Sequence, residues 1–233
     1  MEGFNLILLR HVDREANGVA HRLAHLASTS SSDEFWVEET PDIIHDVLIE
    51  DDYKVASNAG FNVVVPDFFY GDPYNPNNTQ RNMTDWLRDH GPDKGFEDAK
   101  RVIAALKKKG VSWIGAAGFC WGGKVVAELS KGYYTEAAVL LHPSRVTLDD
   151  IKEIKTPIAI LAAQFDNSTA PELVKQFKEI LSTNKVDNFV KIFPGVSHGW
   201  TVRYKDDNVT AVKSANEAHQ DMLDWFIKYV QKT

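Results

Sequence analysis

Short, continuous apolar runs alternate with stretches of helical spacing from about residue 54 to the end of the chain. A continuous apolar run of about four to eight residues is typical of a strand buried on both faces of a sheet. The runs predict strands at residues 62–67, 113–119, 137–141, 157–163 and 188–193. The helical spacing predicts helices at about residues 95–109, 124–131, 171–183 and 211–231. This alternation predicts an α/β fold, with a mostly parallel sheet covered by helices on both faces.

The first 52 residues follow a different pattern. Phe4–Leu9 is a candidate strand and Ala16–Ala27 a candidate helix, which the serine-rich run 28–32 ends. Residues 1–52 hold three arginines against twelve acidic residues, a net charge of −9, whereas residues 53–233 carry a net +2. We therefore expect two parts, an acidic N-terminal segment at 1–52 and a larger domain at 53–233. The first part is too short to bury a core alone.

The overall composition is that of an ordinary globular protein. Of 233 residues 43% are hydrophobic and 25% charged, and the net charge is −7. A mildly acidic chain argues against nucleic-acid binding, which needs clustered Lys and Arg. A single Cys excludes an internal disulfide. No run approaches the roughly 18 apolar residues of a membrane span, and no export signal is recognisable, so we expect a cytoplasmic protein with no membrane partner.

The segment Gly118–Gly123 lies where a predicted strand meets a predicted helix, with Cys120 at its centre. This is the context of a nucleophile elbow, in which glycines leave room for a sharp and strained turn. The thiol would emerge over the positive end of a helix, which favours the thiolate. The backbone N–H of Trp121 would be available to a developing oxyanion.

A cysteine nucleophile needs a base, and the base needs a carboxylate that orients it. Asp166 follows the predicted strand that ends at Ala163, and His198 follows the one that ends at Phe193. The chain order Cys, Asp, His is that of α/β-hydrolases. His142, which also follows a strand, is an alternative base, and Asp67 is a competing carboxylate.

Two other functions compete for the same segment. Gly118–Lys124 fits the G-x-x-x-x-G-K pattern of a phosphate-binding loop, although the next residue is Val125 where a Ser or Thr should bind Mg²⁺. Thiol redox sensing by Cys120 is a further alternative, but the chain has no second Cys that could resolve an oxidised thiol.

Taken in order, the motifs Gly-Phe-Cys-Trp-Gly-Gly-Lys, Phe-Asp and Ser-His-Gly-Trp make residues 54–233 resemble the dienelactone hydrolase family. The resemblance implies an α/β-hydrolase fold and hydrolysis of small esters or lactones by a Cys-His-Asp triad, without a metal or other cofactor. By motif position the triad would be Cys120, His198 and Asp166. Arg203, just past the histidine, is a candidate for binding a substrate carboxylate, because a guanidinium matches it bidentately.

The N-terminal part departs from this family. Its members begin with further strands and an Ile-Phe-Gly type loop that supplies a second oxyanion donor, and no such loop precedes Tyr53. Residues 5–24 instead resemble the last strand and helix of plant reverse-transcriptase-associated RNase H-like domains. Nuclease activity is not expected, and His21 and His25 are predicted to be helix residues rather than metal ligands. We therefore expect an N-terminally truncated, chimeric hydrolase, and the alternative function is an inactive remnant that acts at most as a binding module.

Overall fold

The computed structural model describes residues 4–10, 61–75, 77–205 and 207–230. Within these ranges the strands are β1 Phe4–Arg10, β2 Phe61–Val64, β3 Ile114–Phe119, β4 Ala137–Leu141, β5 Ile158–Phe165 and β6 Asn188–Ser197. The helices are α1 Met83–Asp89, α2 Pro92–Lys108, α3 Trp121–Ser130, α4 Leu148–Glu153, α5 Pro171–Thr183 and α6 Val209–Val230. None of the described helices is long and apolar enough to cross a membrane.

The strands form one sheet in the order β2-β1-β3-β4-β5-β6, and every neighbouring pair is parallel. The predicted parallel sheet is therefore confirmed. Parallel strands all end at the same edge, so the residues that follow β3, β4, β5 and β6 come together there. That shared edge positions the site described below.

Two buried clusters cover the faces of the sheet, and the strand residues alternate between them with the period of two that a strand imposes. In β3, Ala116 packs into the cluster beneath α2, α3 and α5, whereas Ala117 packs into the cluster beneath α6. Leu140 and Leu141 of β4 divide in the same way. Helices on both faces explain why these strands are continuous apolar runs in the sequence.

The predicted elements are recovered with shifted ends, and two short helices were not predicted. Helix α3 begins at Trp121 rather than at 124, because the two glycines of its first turn hide the helical pattern. Helices α1 and α4 have 7 and 6 residues, too few to show a periodicity. A local signal for α4 was present, because Thr147 and Asp150 form a reciprocal capping box.

The predicted N-terminal strand is present as β1, and it lies inside the sheet. Ile7 pairs with Val64 of β2 on one side and with Ala116 of β3 on the other. The predicted helix 16–27, the acidic stretch 33–52, the two histidines at 21 and 25 and most of the RNase H-like resemblance lie outside the described residues. The segment 1–52 thus contributes an interior strand to the sheet of the larger domain, while the boundary near residue 52 stays a prediction.

Candidate active site

Cys120 occupies the turn between β3 and α3 with φ 51° and ψ −112°. A non-glycine residue rarely adopts a positive φ, and such a strained residue between strand and helix is the mark of a nucleophile elbow. A Cβ on Gly118 would lie 2.2 Å from the carbonyl oxygen of Gly122, and one on Gly123 would lie 2.7 Å from Cβ of Pro143. The turn therefore closes only because these two positions are glycine.

The end of β4 holds the nucleophile turn in place through the backbone. The N–H of Cys120 donates to the carbonyl oxygen of Leu141 at 3.1 Å, and the N–H of Ser144 donates to the carbonyl oxygen of Cys120 at 2.9 Å. The cysteine is half-buried. Its thiol is therefore fixed at the carboxyl edge of the sheet beside the residues that follow β4.

Asp166 and His198 meet at the same edge. Nδ1 of His198 lies 2.7 Å from Oδ2 of Asp166. The other carboxylate oxygen, Oδ1, accepts the backbone N–H groups of Ser168 at 2.7 Å and Thr169 at 3.3 Å. The Asp166 side chain is only 1% exposed, and its hydrogen bonds fix its position. Because it contacts Nδ1 of His198, it also fixes the orientation of the imidazole ring.

The imidazole of His198 also forms a hydrogen bond with the thiol of Cys120, and the two groups shift each other's pKa. Burial raises the pKa of Cys120, but the hydrogen bond and charge of His198, the Ser144 hydroxyl and the Trp121 N–H together hold that pKa below its usual value. Burial disfavours the charged imidazole, yet hydrogen bonds to Asp166 and Cys120 raise the pKa of His198 to about 9. Relative to the free side chains, this arrangement favours the thiolate of Cys120 and the imidazolium of His198.

Ser144 is a residue of the site that sequence reasoning missed. Its Oγ lies 3.7 Å from Sγ of Cys120. The available signal was its place two residues after His142, at the carboxyl end of a predicted strand where polar side chains gather. Only the adjacency of β3 and β4 shows which of those polar side chains reaches the sulfur.

The alternative base and the competing carboxylate have other contacts. His142 is buried, its Nε2 lies 2.8 Å from Oγ1 of Thr201, and its ring packs edge-on against His198 with centroids 5.0 Å apart. Asp67 accepts the backbone N–H groups of Phe69 and Gly71 at 3.0 and 2.7 Å, which organises the loop after β2.

The lysine of the phosphate-loop pattern is occupied by carboxylates. Nζ of Lys124 lies 2.6 Å from Oδ1 of Asp150 and 2.7 Å from Oε1 of Glu128. The pair with Asp150 ties α3 to α4, whereas the pair with Glu128 lies within α3. Both pairs direct the amine to carboxylates rather than to a phosphate. No group of three or more His, Cys, Asp or Glu side chains suited to a metal occurs within the described part of the chain.

The two remaining predicted residues flank the three residues predicted to form the triad. The ring of Trp121 is buried, and its Nε1 donates to the carbonyl oxygen of His90 at 3.0 Å. The backbone N–H of Trp121 forms a hydrogen bond with the sulfur of Cys120. Arg203 is exposed, and its side chain lies across Gly199, where a Cβ would be 2.8 Å from Nε. The guanidinium therefore lies next to the residue that follows His198.

Comparison with known proteins decides the family. Residues 48–230 match the model of the dienelactone hydrolase family. The chain belongs to the dienelactone hydrolase family. This confirms the resemblance seen over 54–233, and it places the chain among hydrolases that act on ester bonds. The resemblance of residues 5–24 to an RNase H-like domain is a separate matter and stays a prediction.

Curated relatives agree with this assignment. Hydrolase pyvD of Aspergillus violaceofuscus is 31% identical over 193 residues, which cover 82% of this chain and 77% of that protein. A carboxymethylenebutenolidase homolog of Xenopus tropicalis is 32% identical over 176 residues, covering 73% and 72%. A maize protein named endo-1,3;1,4-beta-D-glucanase is 48% identical over 128 residues, but these span 55% of this chain and only 41% of the maize protein.

Solved structures share the fold at low sequence identity. A dienelactone hydrolase-like promiscuous phosphotriesterase from metagenomic libraries has a TM-score of 0.64 at 16% identity, over 99% of this chain and 89% of that one. An acylaminoacyl peptidase of Pyrococcus horikoshii has a TM-score of 0.67 at 11% identity, over 100% of this chain and 38% of that one. The predicted α/β-hydrolase fold is therefore confirmed.

Proposed function

We propose that this protein hydrolyses small esters or lactones through a thioester on Cys120. One observation carries the proposal: the imidazole of His198 contacts the carboxylate of Asp166 at 2.7 Å on one side and the thiol of Cys120 on the other. A nucleophile, a base and an orienting carboxylate in that geometry are the requirements of covalent acyl transfer.

The acylation half begins with the thiolate. The sulfur of Cys120 attacks the carbonyl carbon, a C–S bond forms, and the π electrons of the carbonyl move onto its oxygen. The backbone N–H of Trp121 donates to that oxyanion. When the oxyanion collapses, the C–O bond of the ester breaks, and the leaving oxygen takes the proton of the His198 imidazolium. The products of this half are the thioester and an alcohol.

The second half consumes one water. His198, now neutral, accepts a proton from the water as its oxygen attacks the thioester carbon. Collapse of the resulting oxyanion breaks the C–S bond and restores the thiolate beside the imidazolium. An ester thus yields an acid and an alcohol, whereas a lactone yields a single hydroxy acid. The carboxylate of Asp166 orients the imidazole and stabilises its positive charge.

We propose further that Arg203 binds a carboxylate on the substrate. Its exposed guanidinium lies across Gly199, directly after the catalytic histidine. A planar guanidinium binds a carboxylate with two parallel hydrogen bonds. This contact would favour esters that carry a second, ionised carboxyl group.

Hydrolysis of p-nitrophenyl acetate by the full chain tests the main proposal. We expect steady release of p-nitrophenol by the wild type, loss of turnover in Cys120→Ala, and an acyl adduct on Cys120 detectable by mass spectrometry after acid quench. A wild type no faster than Cys120→Ala would instead identify the chain as the inactive, binding-only remnant.

A second ester in the same assay tests Arg203. We expect Arg203→Gln to raise KM for the p-nitrophenyl monoester of succinic acid while leaving p-nitrophenyl acetate unaffected. Lys205→Gln removes a nearby exposed cation and is the matched control. An equal effect of both variants on the succinate ester would show a general charge effect and contradict a specific contact by Arg203.

A further inference from the structure

The hydroxyl of Ser144 touches the nucleophile and has no part in the mechanism above. Its Oγ lies 3.7 Å from Sγ of Cys120, a contact distance suited to a hydrogen bond with sulfur. The backbone N–H of Ser144 donates to the carbonyl oxygen of Cys120 at 2.9 Å. The backbone therefore holds the serine in register with the cysteine.

The backbone on both sides of Ser144 is strained. His142 has φ 35° and Arg145 has φ 62°, so two of four consecutive residues adopt a conformation that side chains disfavour. Such strain persists only where tertiary contacts impose it, and it concentrates at functional sites. Here Oγ1 of Thr169 donates to the carbonyl oxygen of Pro143 at 2.7 Å, which ties the segment to the loop that carries Asp166. The segment 142–145 thus bridges the turn at Cys120 and the loop that carries the orienting carboxylate, Asp166.

We propose that Ser144 is a catalytic residue that donates a hydrogen bond to the Cys120 thiolate at rest and to the substrate oxyanion during the reaction. The proposal rests on the function proposed above. During acylation the negative charge moves from the sulfur of Cys120 to the carbonyl oxygen of the substrate, which is two bonds away. A hydroxyl rotates freely about its C–O bond, so the same donor can follow that charge without a backbone movement.

Whether the Ser144 hydrogen bond moves from the sulfur to the oxyanion decides whether it speeds or slows the reaction. A donor that stabilised only the resting thiolate would lower the energy of the ground state and make the sulfur a weaker nucleophile. A donor that is retained as charge develops on the oxygen stabilises the transition state instead. The Ser144 hydroxyl and the Trp121 N–H both contact the sulfur, and the oxyanion forms only two bonds away from that sulfur.

The experiment compares Ser144→Ala with Ser144→Thr and with Ser112→Ala in the full chain. Ser112 is exposed in the loop before β3, at the opposite edge of the sheet, and serves as the matched control. Alkylation of Cys120 by iodoacetamide measures the thiolate without forming any oxyanion. Release of p-nitrophenol from p-nitrophenyl acetate measures the reaction that does form one.

For Ser144→Ala we expect the pH midpoint of alkylation to rise, because the thiolate has lost a donor. At a pH where the thiol is fully ionised, alkylation should be at least as fast as in the wild type, because the thiolate has lost a stabilising donor. Under the same conditions kcat for the ester should fall by about 10²-fold, the lower range for loss of an oxyanion donor. Ser144→Thr, which keeps the hydroxyl, should restore most of the ester activity. Ser112→Ala should behave as the wild type in both assays.

Two results would overturn the proposal while leaving the thioester mechanism intact: an active Ser144→Ala, or equal losses in alkylation and ester hydrolysis at full ionisation. A wild type without esterase activity would instead reject the function on which it rests. Thermal melts of all variants accompany the assays. If Ser144→Ala does not fold, Ser144→Gly, which also lacks the hydroxyl, provides the same comparison.

Discussion

At the scale of single residues, the site depends on contacts between groups that shift each other's pKa. His198 is the centre, because its two ring nitrogens face a buried carboxylate and a thiol. Cys120, Asp166 and His198 could be proposed from the sequence because each directly follows a strand and its chemistry is distinctive. The role of Ser144 could not, because serine is common in loops and only its distance from the sulfur distinguishes it.

The opposite pKa shifts of Cys120 and His198 predict the pH profile of hydrolysis. The thiolate forms above the lowered pKa of Cys120, and the imidazolium that protonates the leaving group persists up to about pH 9. We therefore expect ester turnover to fall below the pKa of the thiol and again above about pH 9. Initial rates across this range, at constant ionic strength, provide the measurement.

Alkylation by iodoacetamide separates the two limbs of that profile. It needs the thiolate but no proton donor, so it should stay fast above about pH 9, where hydrolysis declines. In His198→Asn the alkylation midpoint should move to higher pH, because the stabilising charge is gone. An unchanged midpoint in that variant would contradict the ion pair.

At the scale of elements, the nucleophile turn joins β3 to α3 by a geometry that only small residues permit. The flanking glycines and the strand–helix junction made this turn predictable, because close backbone approach leaves a clear signature in the sequence. The short helices α1 and α4 were missed for the opposite reason. They have too few residues to show a periodicity, and α4 depends on the capping contact of Thr147 with Asp150.

Gly118→Ala tests this turn. The added Cβ would lie 2.2 Å from the carbonyl oxygen of Gly122, so backbone must move and Cys120 with it. We expect destabilisation of about 1–3 kcal/mol, typical of overpacking, together with loss of ester turnover in the fraction that remains folded. Urea denaturation and the alkylation rate of Cys120 measure the two effects separately.

Gly110→Ala is the control for that experiment. Gly110 has φ 91° but nothing within 4 Å of an added Cβ, and it lies in the loop between α2 and β3, away from the site. This variant should lose stability through backbone strain and keep full activity in its folded fraction. If Gly118→Ala behaved in the same way, close packing of the turn would not be what positions the nucleophile.

At the scale of the whole molecule, the order of the strands brings the site together. The sheet places β4 between β3 and β5, so the residues after β4 lie between the nucleophile and the loop of Asp166. It also places β1, from the acidic N-terminal segment, between β2 and β3. The charge step near residue 52 therefore does not coincide with a limit of the sheet.

Ile7→Pro tests how far the protein depends on that first strand. Ile7 is paired on both sides, with Val64 and Ala116, and proline removes the backbone N–H of an interior strand. Loss of one buried hydrogen bond should cost about 1–3 kcal/mol and lower both the melting temperature and the amount of active protein. Ile7→Val, which keeps the N–H, is the matched control. A melt identical to the wild type would instead show that residues 53–233 fold as an independent domain.

The amino-acid sequence by itself determined the class of fold, the nucleophile turn and the candidates for the triad. These depend on local patterns: continuous apolar runs for strands buried on both faces, glycines at a close turn, and reactive side chains after strands. The tertiary structure alone decided which strands are neighbours, and hence that Ser144 contacts Cys120, that His142 packs against His198 and that β1 lies inside the sheet. The physical reason is that strand pairing uses backbone hydrogen bonds common to all residues, so neighbours are selected by how the whole set of apolar faces packs together.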